Sequence, residues 1–177
     1  MLGTIQLKTE RLVLRKHLPE DAAILYRDFG SDEAMYRYSG WNPYASLEMA
    51  ESTVRNFMEQ YTDANFYGWA IEKDGQLIGT IGAYDYDPVR NCIETGMSIA
   101  RPFWGHGYAG EALGVVLEYL TEKEKIQVVT AWCASDNIGS IKAMEKAGMK
   151  LIGKEHCALK ICGRTYDKLF YEYRSGH

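Results

Sequence analysis

Three glycines are the residues of this chain whose spacing points most directly to chemistry. Gly105, Gly107 and Gly110 form the pattern Gly-x-Gly-x-x-Gly, just before a segment with the hydrophobic period of a helix. Glycines leave backbone N–H groups uncovered, the first N–H groups of a helix lack partners within it, and the helix dipole favours an anion there. The spacing therefore predicts a phosphate cradle, formed by Gly105, His106, Gly107, Tyr108, Ala109 and Gly110.

These glycines have two other interpretations, a dinucleotide-binding loop and a tight turn without a ligand. Dinucleotide-binding folds share the spacing, but there the first glycine closely follows the first strand of a βαβ unit. Here residues 101–104 intervene, and the preceding strands have an antiparallel pattern, so the context argues against NAD or FAD. The other alternative is a tight turn without a ligand, which a glycine motif alone does not exclude.

The elements around the glycines have the pattern of one α+β domain spanning residues 1–177, without repeats or linkers. Apolar alternation and turn residues predict strands, and apolar residues at every third or fourth position predict helices. The predicted strands are 11–16, 66–73, 76–84, 92–100, 128–133, 149–161 and 165–173, and the predicted helices are 19–30, a short one after 31, 46–61, 109–120 and 138–147. A hairpin at Asp74-Gly75 and one strand–helix–strand unit indicate a mixed, mostly antiparallel central sheet flanked by helices.

Composition and charge exclude several classes of protein. With 177 residues and a net charge of −4, the chain can bury a core but lacks the basic surface that binds nucleic acid. No apolar run is long enough for a membrane span, and no signal peptide is visible. The cysteines and histidines show no spacing typical of a metal site, so we expect free thiols, no metal and a cytoplasmic location.

Several motifs, in order along the chain, resemble those of the GNAT N-acetyltransferase superfamily. The run 104–109 resembles its acyl-CoA pyrophosphate loop, Arg/Gln-x-x-Gly-x-Gly/Ala, with Trp104 where Arg or Gln is usual. This departure is familiar in the branch of the ribosomal-protein-alanine acetyltransferases, the RimJ and RimL type. Further matches are an opening strand at 9–15, a central hairpin at 77–82, an Asn-x-x-Ser helix at 136–149 and a closing hairpin at 163–167. The resemblance implies the acyl-CoA N-acyltransferase fold.

The resemblance also implies where acetyl-CoA would bind. The loop 105–110 would hold the diphosphate, and backbone groups of Met97, Ser98 and Ile99 would hold the pantetheine arm and polarise the thioester carbonyl. Asn137 would hydrogen-bond the pantetheine amides or cap its own helix, and the two roles are compatible.

A carboxylate on the strand beside the cofactor is common among related enzymes, which makes Glu94 the candidate general base. A period of two places Glu94 and Ser98 on one face of the strand, where a partly buried carboxylate could accept the proton of an amine. The alternatives are that Glu94 is solvated or pairs with Arg90. Reserve candidates are His156 and Glu155.

The general acid has a weaker signal. Counting from Asn137 and Gly148, the tyrosine that many family members use corresponds to Met144, which cannot donate a proton. Ser140 matches the serine given this role in the ribosomal-protein branch, and otherwise water would protonate the thiolate. Ser140 is therefore expected both to act in catalysis and to contact the cofactor.

Aromatic residues are the candidates for the acceptor side, although large aromatic residues often belong to the core instead. The predicted substrate-binding residues are Trp41, Tyr44, Trp69 and Tyr84.

The resemblance thus implies an N-acetyltransferase that moves an acetyl group from acetyl-CoA to a primary amine by direct attack in a ternary complex. The acceptor would be a protein N-terminus or a small amine, and a homodimer is compatible with this function. The alternative is a non-catalytic acyl-CoA-binding sensor, which the missing tyrosine favours. A nicotinamide- or flavin-binding domain is the third candidate.

Overall fold

The computed structural model describes residues 1–176, which form an eight-stranded sheet with helices on both faces. The strands are β1 (Leu7–Lys8), β2 (Val13–Arg15), β3 (Tyr67–Lys73), β4 (Gln76–Asp87), β5 (Cys92–Ile99), β6 (Val128–Ala134), β7 (Lys150–Ile161) and β8 (Arg164–Arg174). The helices are α1 (Asp21–Leu25), α2 (Leu47–Gln60), α3 (Tyr108–Glu118) and α4 (Ile138–Lys146), with π-helical turns at Tyr26–Gly30 and Tyr119–Lys123 and 3-10 turns at Glu33–Met35 and Arg101–Phe103. Among these residues, no helix is both long and apolar enough to cross a bilayer.

The sheet has the order β1-β2-β3-β4-β5-β6-β8-β7, and β5·β6 is the parallel pair while the other neighbours are antiparallel. This confirms the predicted mixed, mostly antiparallel sheet flanked by helices. The predicted strand 11–16 is shorter than expected, because Thr9 donates its backbone N–H to Leu12 O at 2.9 Å and closes a turn there. The two-residue strand β1 on the far side of that turn is too short to leave an alternating pattern.

Local signals explain where the predicted elements begin and turn. Ser46 accepts a hydrogen bond from the N–H of Met49 at 3.1 Å and thereby caps α2. Asp74 and Gly75 have φ values of +50° and +79°, so the turn between β3 and β4 suits the twist of an antiparallel hairpin.

Two apolar cores cover the two faces of the sheet. Along β3, Trp69 and Ile71 lie in the larger core with α3, whereas Ala70 lies in the smaller core with α1 and α2. On β5, Ile93 and Ile99 belong to the α3 core. Because side chains alternate along a strand, Glu94 and the other even-numbered residues of β5 lie on the α1 and α2 face.

Candidate active site

The loop before α3 presents uncovered backbone donors. Gly105 and Gly107 have φ values of +79° and +78°, in the left-handed region that glycine adopts without strain. The N–H groups of Trp104 and Glu111 each donate to a backbone carbonyl at 3.1 Å. Between them, the N–H groups of residues 105–110 have no acceptor in the part of the chain that the structure describes. The positive end of α3 therefore carries a run of free donors.

Two cationic side chains hold the carbonyl oxygens of the same loop. Lys146 Nζ donates to Gly107 O at 3.1 Å, and Arg11 Nη1 donates to His106 O at 3.0 Å. Arg11 also forms an ion pair with Glu111, at 2.6 Å between Nη2 and Oε2. These contacts fix the peptide units of the loop. Glu111 offsets the charge of Arg11, and Lys146 adds a positive charge beside the free donors, which favours an anion.

The sheet opens next to this loop. The strands β5 and β6 pair only at Cys92·Val128, Ile93·Val129 and Glu94·Thr130, although β5 continues to Ile99 and β6 to Ala134. On its other side, β6 pairs with β8 over its whole length. The two parallel strands therefore diverge after Glu94 and leave a wedge between them.

The register of β5 shows which backbone groups border the wedge. Ala100 donates its N–H to Ile78 O at 2.8 Å, so the even-numbered residues of this segment, Ser98 included, direct their backbone groups toward β4. The backbone groups of Met97 and Ile99 consequently face the side of β6. Of the three residues predicted to hold the pantetheine arm, Met97 and Ile99 are placed to do so through the main chain, whereas the backbone of Ser98 is engaged by β4.

Trp104 links the glycine loop to the wedge. Its indole N–H donates to Ile99 O at 2.6 Å. The residue that departs from the usual Arg or Gln of the motif thus satisfies a carbonyl at the end of β5. The sequence did not indicate this role.

Glu94 lies at the point where the wedge begins. Its Oε1 atom accepts a hydrogen bond from Trp132 Nε1 at 3.0 Å. Burial, together with the negative charge of Glu94, raises the pKa of Tyr84 to about 12. The alternative partner Arg90 instead lies 3.6 Å from Asp87, so the pairing of Glu94 with Arg90 is wrong.

Trp132 and Lys168 are two residues near Glu94 that the sequence analysis missed. Lys168 Nζ lies 4.5 Å from the centroid of the Trp132 ring and 5.0 Å from that of Phe170. Trp132 occupies an alternate position of β6 between the buried Ala131 and Cys133, a pattern that could have shown that it faces the other side of the sheet. Glu94, Trp132 and Lys168 thus form a row across β5, β6 and β8.

The start of α4 holds the other predicted polar residues. Asn137 Oδ1 accepts the N–H of Ser140 at 3.3 Å, so Asn137 does cap its helix, and its amide NH₂ group is not needed for that contact. Ser140 is half-buried in the first turn. Met144, one turn later, is 3% exposed and packs in the larger core. Ser140 is therefore the hydroxyl that α4 offers near its N-terminus.

Trp69 does not belong to the acceptor side. It has no exposed surface, its indole N–H donates to Ile5 O at 2.6 Å, and its ring packs against Tyr67 and Tyr119. The prediction that it contacts the substrate is wrong, because an alternating strand with two buried faces gives the same pattern as a strand bordering a cleft.

The other three aromatic candidates lie in different places. Tyr84 is 46% exposed and borders Glu94. Trp41 is exposed, whereas Tyr44 is 9% exposed and packs edge-on against Phe29 in the smaller core. Trp41 and Tyr44 line a groove along α2, and Glu94 is not among the residues of its wall. Tyr84 is thus the aromatic candidate that the structure brings to Glu94.

The reserve candidates Glu155 and His156 lie on β7, the outermost strand, with β6 and β8 between them and β5. His156 contacts Asp167, at 2.8 Å from its Nδ1 to Oδ1. The structure therefore does not bring these two residues together with Glu94.

Comparisons with known proteins agree with this geometry. A family model described as an acetyltransferase (GNAT) domain matches residues 11–150. A relative from Bacillus subtilis (strain 168), named uncharacterized N-acetyltransferase YoaA, is 29% identical over 167 residues, which are 93% of this chain and 94% of YoaA.

Two solved structures share the fold. A GNAT-family acetyltransferase from Bacillus anthracis has a TM-score of 0.84 and 22% identity, covering 98% of this chain and 100% of that one. RimL, described as a ribosomal L7/L12 α-N-protein acetyltransferase in complex with coenzyme A, has a TM-score of 0.86 and 17% identity, covering 96% of this chain and 98% of RimL. The chain therefore belongs to the GNAT acetyltransferase family and is an acyltransferase enzyme.

Proposed function

We propose that the protein moves the acetyl group of acetyl-CoA onto a primary amine by direct attack in a ternary complex. The observation that carries this proposal is the run of free N–H groups at residues 105–110, next to the wedge between β5 and β6. A diphosphate on the loop and an extended arm in the wedge would match the two parts of coenzyme A, and RimL is described as a complex with coenzyme A. Asn137, with its free NH₂ group, would bind an amide of the arm.

Glu94 would accept the proton of the attacking amine, directly or through one water. The amine attacks as its neutral form, the new C–N bond develops, and the carbonyl oxygen gains negative charge. A backbone N–H of Met97 or Ile99 would stabilise that oxygen, since both residues direct their main chain toward β6. Trp132 would hold the carboxylate of Glu94 in place through its indole N–H.

Ser140 would act on the leaving group. As the C–S bond breaks, its hydroxyl donates a hydrogen bond to the departing thiolate. The thiolate then takes a proton from water, either directly or through the hydroxyl, which recovers its own proton from that water. A thiol is acidic enough to leave with this modest assistance, so the apolar Met144 in the usual tyrosine position does not prevent turnover.

The acceptor would be a protein N-terminus or a small amine. RimL is described as an α-N-protein acetyltransferase, and the microcin C7 self-immunity acetyltransferase MccE as a complex with acetyl-CoA and AMP, so proteins of this fold include one named for a protein acceptor and one that binds a nucleotide beside acetyl-CoA. We place the reaction in the cytoplasm, a location that the four free cysteines support.

The proposal is tested first by ligand binding. Acetyl-CoA at about 100 times its Kd should stabilise the native protein by about 2.7 kcal/mol, because a ligand bound by the folded state alone shifts unfolding by mass action. NAD and FAD should produce no shift in the same thermal-unfolding measurement. Stabilisation by NAD or FAD without acetyl-CoA would contradict the assignment.

Turnover is tested with a library of primary amines and acetyl-CoA, using the release of free thiol as the signal. We expect release with at least one class of amine, and an acetylated product detected by mass spectrometry. A protein that binds acetyl-CoA but acetylates none of the peptides, amino acids, polyamines and aminoglycosides supplied would be a binding protein instead.

A further inference from the structure

The hairpin of β7 and β8 carries a second group of reactive side chains. His156 Nδ1 lies 2.8 Å from Asp167 Oδ1, and His156 Nε2 lies 3.2 Å from Cys157 Sγ. The backbone N–H of Cys157 donates to the same Asp167 oxygen at 2.9 Å. A carboxylate, an imidazole and a thiol are therefore connected in one line.

An irregularity of β7 creates this contact. In a regular strand, adjacent side chains point to opposite faces, so neighbours such as His156 and Cys157 would lie apart. The register of β7 against β8 shifts between Glu155 and Leu159, and Cys157 has φ of +53°, in the left-handed region that residues with a Cβ rarely adopt. The bulge turns the thiol back to the imidazole of the preceding residue. The sequence does not predict this contact between the thiol and the imidazole, because adjacent residues of a regular strand face opposite sides.

Asp167 orients the imidazole. The N–H of Cys157 and the ion pair with Lys154, at 3.0 Å, lower the pKa of Asp167 to about 2, so this carboxyl group is ionised at neutral pH. An ionised carboxylate accepts a hydrogen bond from the Nδ1–H group, which leaves the lone pair of Nε2 directed at the Cys157 thiol. The imidazole is thus placed to accept the thiol proton.

We propose that Cys157 is an activated thiol and a site of covalent modification by soft carbon electrophiles. The thiol proton moves to His156 Nε2, and the resulting thiolate attacks the electrophilic carbon. A C–S bond forms, the bond between carbon and its leaving group breaks, and the leaving group departs with the electron pair while the proton stays on the imidazole. Cys157 is exposed, so reagents in solution reach it.

A metal site made of the same residues fits the geometry less well. The ligand atoms of His156, Cys157 and Asp167 lie within 4.8 Å of one another. However, Asp167 and Cys157 lie on different ring nitrogens of His156, and the second Asp167 oxygen is engaged by the Lys154 ammonium. An ion shared by all three residues would have to break these contacts, whereas the thiol–imidazole pair is already formed.

The test compares two exposed cysteines of the same hairpin, Cys157 and Cys162, in the full-length protein. Limiting iodoacetamide at pH 7, followed by peptide mass spectrometry, measures the alkylation rate of each. We expect Cys157 to react at least about fivefold faster than Cys162, because His156 Nε2 is placed to accept the thiol proton as the sulfur attacks. Equal rates would overturn the proposal.

Three variants separate activation from mere exposure. His156→Asn should lower the rate of Cys157 to that of Cys162, Asp167→Asn should lower it in part, and Lys160→Met, an exposed change on the same strand, should leave it unchanged. An unchanged rate of Cys162 and an unchanged circular dichroism spectrum show that the hairpin is intact. A fast Cys157 in His156→Asn would overturn the proposal. Protection of Cys157 by one equivalent of Zn²⁺, requiring both His156 and Asp167, would replace it with a metal site.

Discussion

The row of side chains around Glu94 lies where the wedge begins, whereas the loop 105–110 follows the other end of β5, next to the open part of the wedge. The two regions consist of different chemical groups. The loop offers main-chain N–H groups from six consecutive residues, and its glycines serve by lacking side chains. The row consists of Glu94, Trp132 and Lys168, side chains that three strands bring together. A site made of consecutive backbone donors leaves a pattern in the sequence, whereas a site made by strand register does not.

The two regions also differ in how they tolerate change. The donors of the loop depend on backbone angles that a Cβ disfavours, so a single substitution there disturbs several donors together. The groups of the row depend on individual atoms, so each can be removed alone. The loop is therefore expected to govern the affinity for acetyl-CoA, and the row to govern the rate of transfer.

The largest expected effect is on the row. Glu94→Gln removes the proton acceptor and keeps the shape of the side chain, so kcat should fall about 1,000-fold, within the usual range for a general base. The Kd for acetyl-CoA, measured by calorimetry, should stay the same. Glu155→Gln, a matched change on the outermost strand, should retain full turnover. A Glu94→Gln enzyme with near-normal kcat would remove Glu94 from the mechanism.

The next effect is on the loop. Gly107→Val forces a β-branched residue to a φ of +78°, and its Cβ would overlap with the Lys146 ammonium. The affinity for acetyl-CoA should fall about 100-fold, because the strain and the displaced peptide units misplace several donors at once. Gly114→Ala, in the open interior of α3, is the matched control and should leave affinity unchanged while stabilising the helix by about 0.5–1 kcal/mol. If Gly107→Val binds acetyl-CoA normally, the diphosphate lies elsewhere.

The same difference, between backbone donors of consecutive residues and side chains brought together by strand register, determines how much of each region the sequence predicts. The glycine spacing, the Asp74-Gly75 turn and the Ser46 cap are local signals, and each lies where the residue types require. Trp69 was misplaced because alternation marks a strand without telling which face is covered by helices. The contact between His156 and Cys157 was missed because it depends on a bulge, which is set by the pairing of two strands.

Tyr44 was predicted to bind the substrate, but it packs in the smaller core, and its pKa offers a way to test which role it has. Its burial raises its pKa to about 12 from the usual 10, so the folded state keeps the neutral phenol while the unfolded chain ionises first. The stability from this group is complete below pH 10 and is lost as pH rises to 12, by about 2 kcal/mol. Tyr44→Phe should flatten the decline of unfolding free energy between pH 10 and 12, measured with urea. At neutral pH the KM for the amine should not change; a raised KM would instead make Tyr44 a substrate contact.

The smallest expected effects are at two tryptophans whose indole N–H groups each donate to β5. Trp132 belongs to the row, and Trp104 directly precedes the loop 105–110. Trp132→Phe keeps the ring beside Lys168 but removes the donor to Glu94, so kcat should fall about fivefold while the Kd for acetyl-CoA is unchanged. Trp104→Phe removes the donor to Ile99 O and should raise that Kd about fivefold while kcat at saturation is unchanged. Steady-state kinetics gives kcat, and calorimetry gives the Kd for acetyl-CoA, for each of the two variants. If both variants change the same parameter, the division between a binding loop and a catalytic row is wrong, because the wedge would then transmit either change to both regions.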